Sequence, residues 1–180
     1  MKNTLTFLLE VGKIVLIALL LVWGLRTFVF QPFLVRGASM EPNFHNWDYL
    51  IVDQISYRFR PPQRGEVVVF KYPHNPSQRY IKRIVGLPGE TITVNDGKVT
   101  ILKDDHELVL GESSYLLESH TPGSLRVALQ ENEYFVLGDN RVHSSDSRVW
   151  GVLPKDFIIG QVWIRVFPLS AFAKVEAPNY

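Results

Sequence analysis

Apolar positions along this chain fall into two regimes. Near the N-terminus they are continuous: residues 14–25 read IVLIALLLVWGL without a charge, and after Arg26 the run resumes as TFVFQPFLV up to Val35. About 20 apolar residues of helix cross a bilayer core, so the first run alone is too short. Counted from 14 to 31 the stretch is long enough, with Arg26 snorkelling to the headgroups. The pattern predicts a transmembrane helix over about 12–31, an aromatic belt from Trp23 and residues 28–33, and a stop at Pro32. Two other readings stay open. A cleaved secretory signal peptide shares the basic start (Lys2, Lys13) and the apolar middle, although Arg36 stands where cleavage after Ala38 needs a small residue. A buried core helix is the other. The flanking charges, Lys2 and Lys13 before and Arg26 and Arg36 after, nearly tie and only weakly favour the N-terminus inside.

Beyond position 33 the helical period disappears. Short runs rich in β-branched residues follow at 49–53 (YLIVD), 66–71 (EVVVFK), 80–85 (YIKRIV), 90–94 (ETITV), 98–102 (KVTIL), 134–137 (YFVL) and 157–167 (FIIGQVWIRVF). Each is bounded by Gly, Pro, Asn or Asp, which marks strands and turns. Asn95-Asp96-Gly97 between two such runs signals a hairpin. Several runs are apolar on both faces, as expected of strands covered on both sides. The fold class predicted is all-β, with antiparallel sheets folded on themselves behind one N-terminal transmembrane helix. Residues 1–32 form the anchor and 33–180 the β-rich domain, with the polar stretch 103–133 read as an irregular inserted arm.

Composition narrows the chemistry. The 180 residues contain no cysteine, which excludes disulfides, thiol catalysis and thiolate metal sites. Lys plus Arg total 19 against 18 Asp plus Glu, so no global field draws the chain to nucleic acid. His106-Glu107 opens like a zincin helix but lacks the second His, and the five His show no ligand spacing, so no metal and no cofactor are expected. Gly37-Ala38-Ser39 opens like a nucleophile elbow but lacks the closing Gly.

Two residues pass this sieve. Ser39 lies about eight residues past the predicted membrane end; at ~3.3–3.6 Å per residue it must sit close to the bilayer surface. Lys82 shares a strand face with Tyr80 and Ile84, while Ile81 and Arg83 point the other way. A Lys among apolar neighbours loses hydration, which favours its neutral form and suits a general base for a Ser nucleophile. By spacing alone, a snorkelling Lys on an edge strand is the simpler account.

Four blocks in order change that balance: GASMEP at 37–42, RGEVVVFKYP at 64–73, YIKRIVGLPGE at 80–90 and GDNRVHSSDSRVWG at 138–151. At these residues the chain resembles the bacterial type I signal peptidases (peptidase family S26), in the short, single-anchor form of Gram-positive bacteria. The resemblance implies a membrane-bound serine endopeptidase with Ser39 as nucleophile and Lys82 as general base. It implies that Ser144 orients the base and that Asp146 and Arg148 form a structural ion pair. Asp139 shapes the turn carrying Ser144. Asn140 and Arg141 read more simply as polar loop, and Ser145 and Ser147 rank below Ser144. Where some members carry a Ser two residues before the nucleophile, this chain has Gly37, so the oxyanion falls to backbone N–H groups, that of Ser39 first. The resemblance further implies that Phe33, Val35, Met40 and Ile81 line small apolar pockets, with ordinary packing as the alternative. The implied partners are signal peptides of preproteins with Ala-x-Ala ends, the lipid bilayer and the secretion translocon. The implied location is the plasma membrane, crossed once, with the N-terminus cytoplasmic and the catalytic domain outside. Two rivals are kept: a catalytically idle, anchored binding module, and a self-cleaving Ser/Lys peptidase.

Overall fold

A computed structural model describes residues 2–28, 30–116, 118–178 and 180; the side chains of residues 2–5 and 25–28 lie outside that description. The expected snorkelling of Arg26 and the belt position Phe28 therefore fall outside what is described. Helix α1 runs Lys2–Phe28, and its segment Thr6–Gly24 is long and apolar enough to cross a membrane, with its side chains exposed rather than packed on the domain.

The helix ends earlier than Pro32 predicts, because residues 30–34 are captured by a sheet. Strand β1 (Phe30–Leu34) pairs antiparallel with β2 (Tyr49–Asp53), with Pro32 opposite Ile51. β1 is the edge of its sheet, where a residue without an N–H costs no ladder bond on the open side. Phe30 and Phe33 thus belong to the domain rather than to a helix-end belt. Phe30 stacks on Trp163 at 5.1 Å between ring centroids, and Phe33 packs against the core.

The remaining strands are β3 (Val67–Tyr72), β4 (Asn75–Gly86), β5 (Thr91–Asn95), β6 (Lys98–Lys103), β7 (His106–Val109), β8 (Leu125–Ala128), β9 (Glu133–Leu137), β10 (Leu153–Pro154), β11 (Ile158–Phe167) and β12 (Ala173–Lys174). They build two antiparallel sheets. The larger has the order β1-β2-β11-β3-β4-β9-β10, with β12 on β11; the smaller has the order β7-β6-β5-β8. β11 lies between β2 and β3 and joins the two halves of the large sheet. The β5–β6 hairpin turns through Asp96 and Gly97, both at positive φ, the geometry that Asn-Asp-Gly anticipates.

Residues 103–133, expected to be irregular, contribute β7 and β8 to the small sheet on either side of the β5–β6 hairpin. All four side chains of β7 are exposed, so the strand carries no apolar alternation to read. A short helix, α2 (Ser147–Trp150), follows the polar loop after β9. Buried clusters fill both faces of the large sheet and the gap between the sheets; Val35, Met40 and Ile81 lie in the first, Ile84 and Trp150 in another. The sheets meet closely at Gly86, where a methyl group would press within 2.8 Å of Ile92 and Leu129.

Candidate active site

Ser39 sits in a tight turn between β1 and β2. Gly37 enters it at φ +93, a conformation side-chain-bearing residues resist, and its N–H donates to Asn46 Oδ1 at 3.0 Å. Met40 and Phe44 pin the turn from below at 1% and 3% exposure. From the far side, Asn140 holds it twice: its backbone N–H donates to the Ser39 carbonyl at 3.0 Å and its Nδ2 to the Ala38 carbonyl at 3.1 Å.

Lys82 reaches the same point from β4, where it pairs with Val68 in the centre of the large sheet. Its side chain is 3% exposed, and Nζ lies 2.7 Å from Ser39 Oγ and 2.9 Å from the Ile81 carbonyl. Burial pulls its pKa from 10.5 down to about 8, with the carboxylates of Asp146 and Asp139 opposing the shift. The two residues selected from the sequence are therefore in contact, and the Lys lies in the sheet interior rather than on an edge. Among the described residues, no protein acceptor takes the Ser39 N–H, which leaves it free to meet an oxyanion.

The loop after β9 supplies the third wall. Asp139 accepts both Nε and Nη2 of Arg83, at 2.8 and 2.7 Å, a fork-to-fork pair sealed from water. Asp146 accepts Nε and Nη2 of Arg148, both at 2.8 Å, and the Gly138 N–H at 3.0 Å. Ser144 Oγ is buried here and makes no hydrogen bond, to Lys82 or to any other described group. It lies against Gly138, where an added methyl would overlap both Ser144 Oγ and the Ser39 carbonyl. Ser145 lines the cleft, whereas Ser147 turns inward and accepts the Val136 N–H at 3.0 Å.

A cleft of about 730 Å³ opens over the pair, lined among others by Phe33, Leu34, Gly37, Ser39, Tyr80, Ile81 and Lys82. Of the four expected pocket residues, Phe33 and Ile81 face this cleft, while Val35 and Met40 lie beneath it in the core. Among the described residues, no group of three or more His, Asp or Glu is arranged to hold a metal ion.

Sequence reasoning passes over Asn43 and Glu112 and gives Asn140 and Arg141 too small a part. Asn140 and Arg141, read as polar loop, grip the nucleophile turn and a buried carboxylate respectively. The only signal available is an Arg in a string whose other charges find partners.

A family model described as signal peptidase, peptidase S26, matches residues 8–167. A probable signal peptidase I-1 from Synechocystis is 36% identical over 176 residues, covering 94% of this chain and 87% of its own. Signal peptidase I T of Bacillus subtilis is 35% identical over 181 residues, covering 97% of this chain and 93% of its own. A crystal structure of a signal peptidase I from Enterococcus faecalis aligns with a TM-score of 0.47 at 30% identity, over 57% of this chain and 97% of the other.

Proposed function

The chain belongs to the signal peptidases of peptidase family S26, serine peptidases that remove signal peptides from preproteins, and from that premise we propose that Ser39 and Lys82 perform the cleavage. That membership displaces the idle binding module and the self-cleaving peptidase as readings of the chain. The observation that carries the assignment is the 2.7 Å contact between Ser39 Oγ and a Lys82 Nζ whose pKa burial lowers to about 8.

Neutral Lys82 takes the Ser39 proton as Oγ attacks the carbonyl carbon before the scissile bond. The oxyanion accepts the Ser39 N–H, a fixed dipole that needs no reorganisation. The Lys82 ammonium returns the proton to the departing amine, which leaves as the new N-terminus of the mature protein. Lys82 then removes a proton from water as the oxygen attacks the ester and passes it to Ser39 Oγ, and the signal peptide leaves as a carboxylic acid that gives its remaining proton to solvent.

Ser144, which makes no hydrogen bond to Lys82 in this structure, is the residue we assign to orient the base once substrate is bound. A Lys ammonium has three donors, of which Ser39 Oγ and the Ile81 carbonyl engage two. The unpaired hydroxyl of Ser144, beside the Ser39 backbone, complements the third. Gly37, Asp139, Asp146 and Arg148 keep the surrounding backbone in register.

The substrate lies extended in the cleft, adding its backbone to the strand edges there. Phe33 and Ile81 make its wall apolar and narrow, which suits Ala-x-Ala ends, with Val35 and Met40 supporting them from below. Helix α1 anchors the chain in the plasma membrane with the N-terminus cytoplasmic and the domain outside, next to the translocon that delivers the preprotein.

The test is cleavage of a purified preprotein by detergent-solubilised wild type, Ser39→Ala and Lys82→Ala. Both variants are expected to be inactive, and replacing the Ala before the scissile bond by a bulky residue blocks wild-type cleavage. Persistent cleavage by Ser39→Ala would overturn the assignment; unaffected cleavage of the bulky substrate would overturn the pocket.

A further inference from the structure

The stretch 112–116, between β7 and β8, belongs by sequence to the small sheet, yet its side chains bond to residues that flank the catalytic centre. Glu112 is 5% exposed, and its two oxygens accept Arg141 Nη2 and Nη1 at 2.5 and 2.6 Å. Arg141 is also buried, donates Nε to the Gly138 carbonyl at 3.0 Å, and bonds Thr121 Oγ1. Tyr115 donates its hydroxyl to Glu112 Oε1 at 2.6 Å, and its ring lies 4.5 Å from the guanidinium of Arg83. Its carbonyl accepts Asn43 Nδ2 at 2.7 Å, and the same Nδ2 lies 2.8 Å from Asp139 Oδ2.

One turn is thus bonded to both halves of the site. Through Asn43 it holds the segment that carries Ser39. Through Arg141 it holds the 138–148 loop, whose Asn140 bonds the Ala38 and Ser39 carbonyls. A buried carboxylate bound to a fork of guanidinium nitrogens fixes direction as well as distance. Removing it leaves a buried cation without its counter-charge, which the loop relieves only by moving toward water.

We propose that Glu112, supported by Tyr115, is a positioning residue for catalysis, and that the small sheet acts as a brace setting the distance between the nucleophile turn and the 138–148 loop. The proposal rests on the assignment of Ser39 and Lys82. Glu112 touches no reacting atom, so it acts on the alignment of Ser39 and its carbonyl-gripping partner rather than on substrate binding.

The experiment measures kcat and KM for preprotein cleavage by the full-length, detergent-solubilised chain, well below the Tm of each variant. Misplacing a catalytic group by about 1 Å costs ~100-fold. Glu112→Ala is expected to lose kcat on that scale, with KM within about twofold of wild type. Glu112→Gln keeps one acceptor for Arg141 and is expected to recover about tenfold of that loss. Because Glu112 acts through the loop, Asn140→Ala should add little in the Glu112→Ala background. Ile101→Val, in the core of the small sheet, lowers Tm and leaves kcat unchanged. If Glu112→Ala does not fold, Glu112→Gln carries the test by its kcat against KM. Wild-type kcat in the folded Glu112 variants, or multiplicative effects of Glu112→Ala and Asn140→Ala, would overturn the brace. An active Ser39→Ala would instead overturn the assignment beneath it.

Discussion

Lys82→Met keeps the aliphatic stem of the side chain and removes the ammonium, so it separates what the residue does for chemistry from what it does to the fold. The side chain is 3% exposed, and burial lowers its pKa from 10.5 to about 8. At ~1.4 kcal/mol per pH unit that gap amounts to about 3 kcal/mol of strain on the folded state at neutral pH. Methionine forfeits the hydrogen bonds to Ser39 Oγ and the Ile81 carbonyl, about 1 kcal/mol each. The inactive variant is therefore expected to be more stable than wild type by about 1 kcal/mol at pH 7. The sign of the pH dependence follows from proton counts. Between about 8 and 10.5 the unfolded chain holds the Lys82 proton and the folded chain does not, so wild-type stability rises with pH across that window. Below about 8 the full penalty is present; above 10.5 it is gone. Lys82→Met lacks this dependence, and all other groups are common to both proteins. Urea unfolding of the two solubilised chains at pH 7 and pH 10 checks it: the variant's advantage should vanish and reverse. A variant less stable at pH 7, or a difference that does not change with pH, would refute the reasoning.

The same group governs the rate. Cleavage should rise tenfold per pH unit up to about 8 and then level, since only neutral Lys82 accepts a proton, and Lys82→Arg should be inactive throughout; a rate that has already levelled by pH 6 would assign the base elsewhere. Gly138→Ala places a methyl on Ser144 Oγ and on the Ser39 carbonyl, and the carbonyl, being backbone of the nucleophile itself, moves only with it. Its kcat should fall by ~100-fold or more, and wild-type kcat would show that the gap tolerates a side chain.

Much of the large sheet is legible in the sequence because its strands are buried on both faces and written in Val, Ile and Phe. Val67–Tyr72 and the second half of β4 read directly as such. β1 is hidden for the opposite reason: its apolar residues continue the anchor's run, and only pairing with β2 distinguishes strand from helix. β7 is lost because an edge strand with both faces wet carries no alternation, and β8 because its alternating stretch, LRVA, is only four residues long. At the site, the desolvated position of Lys82 follows from its strand neighbours, but its contact with Ser39 does not; that needs the four-block resemblance. Arg141 defeats sequence reading altogether. Within GDNRVHSSDSR it is indistinguishable from a solvated loop residue, because the carboxylate that buries it stands at position 112.

The place of β11 in the large sheet bears on when the site comes into being. Nucleophile and base are 43 positions apart, and Asn140 grips the Ala38 carbonyl from 102 positions further along. β1 and β2 carry the first, β3 and β4 the second, and among the described strands only β11, at Ile158–Phe167, lies between those halves and pairs with both. A growing chain therefore holds every reacting atom long before it holds an active centre. During synthesis the two halves of the large sheet lack the strand that spans them until nearly the last strand has emerged, so a truncated product carries Ser39 and Lys82 without the pairing that fixes one against the other.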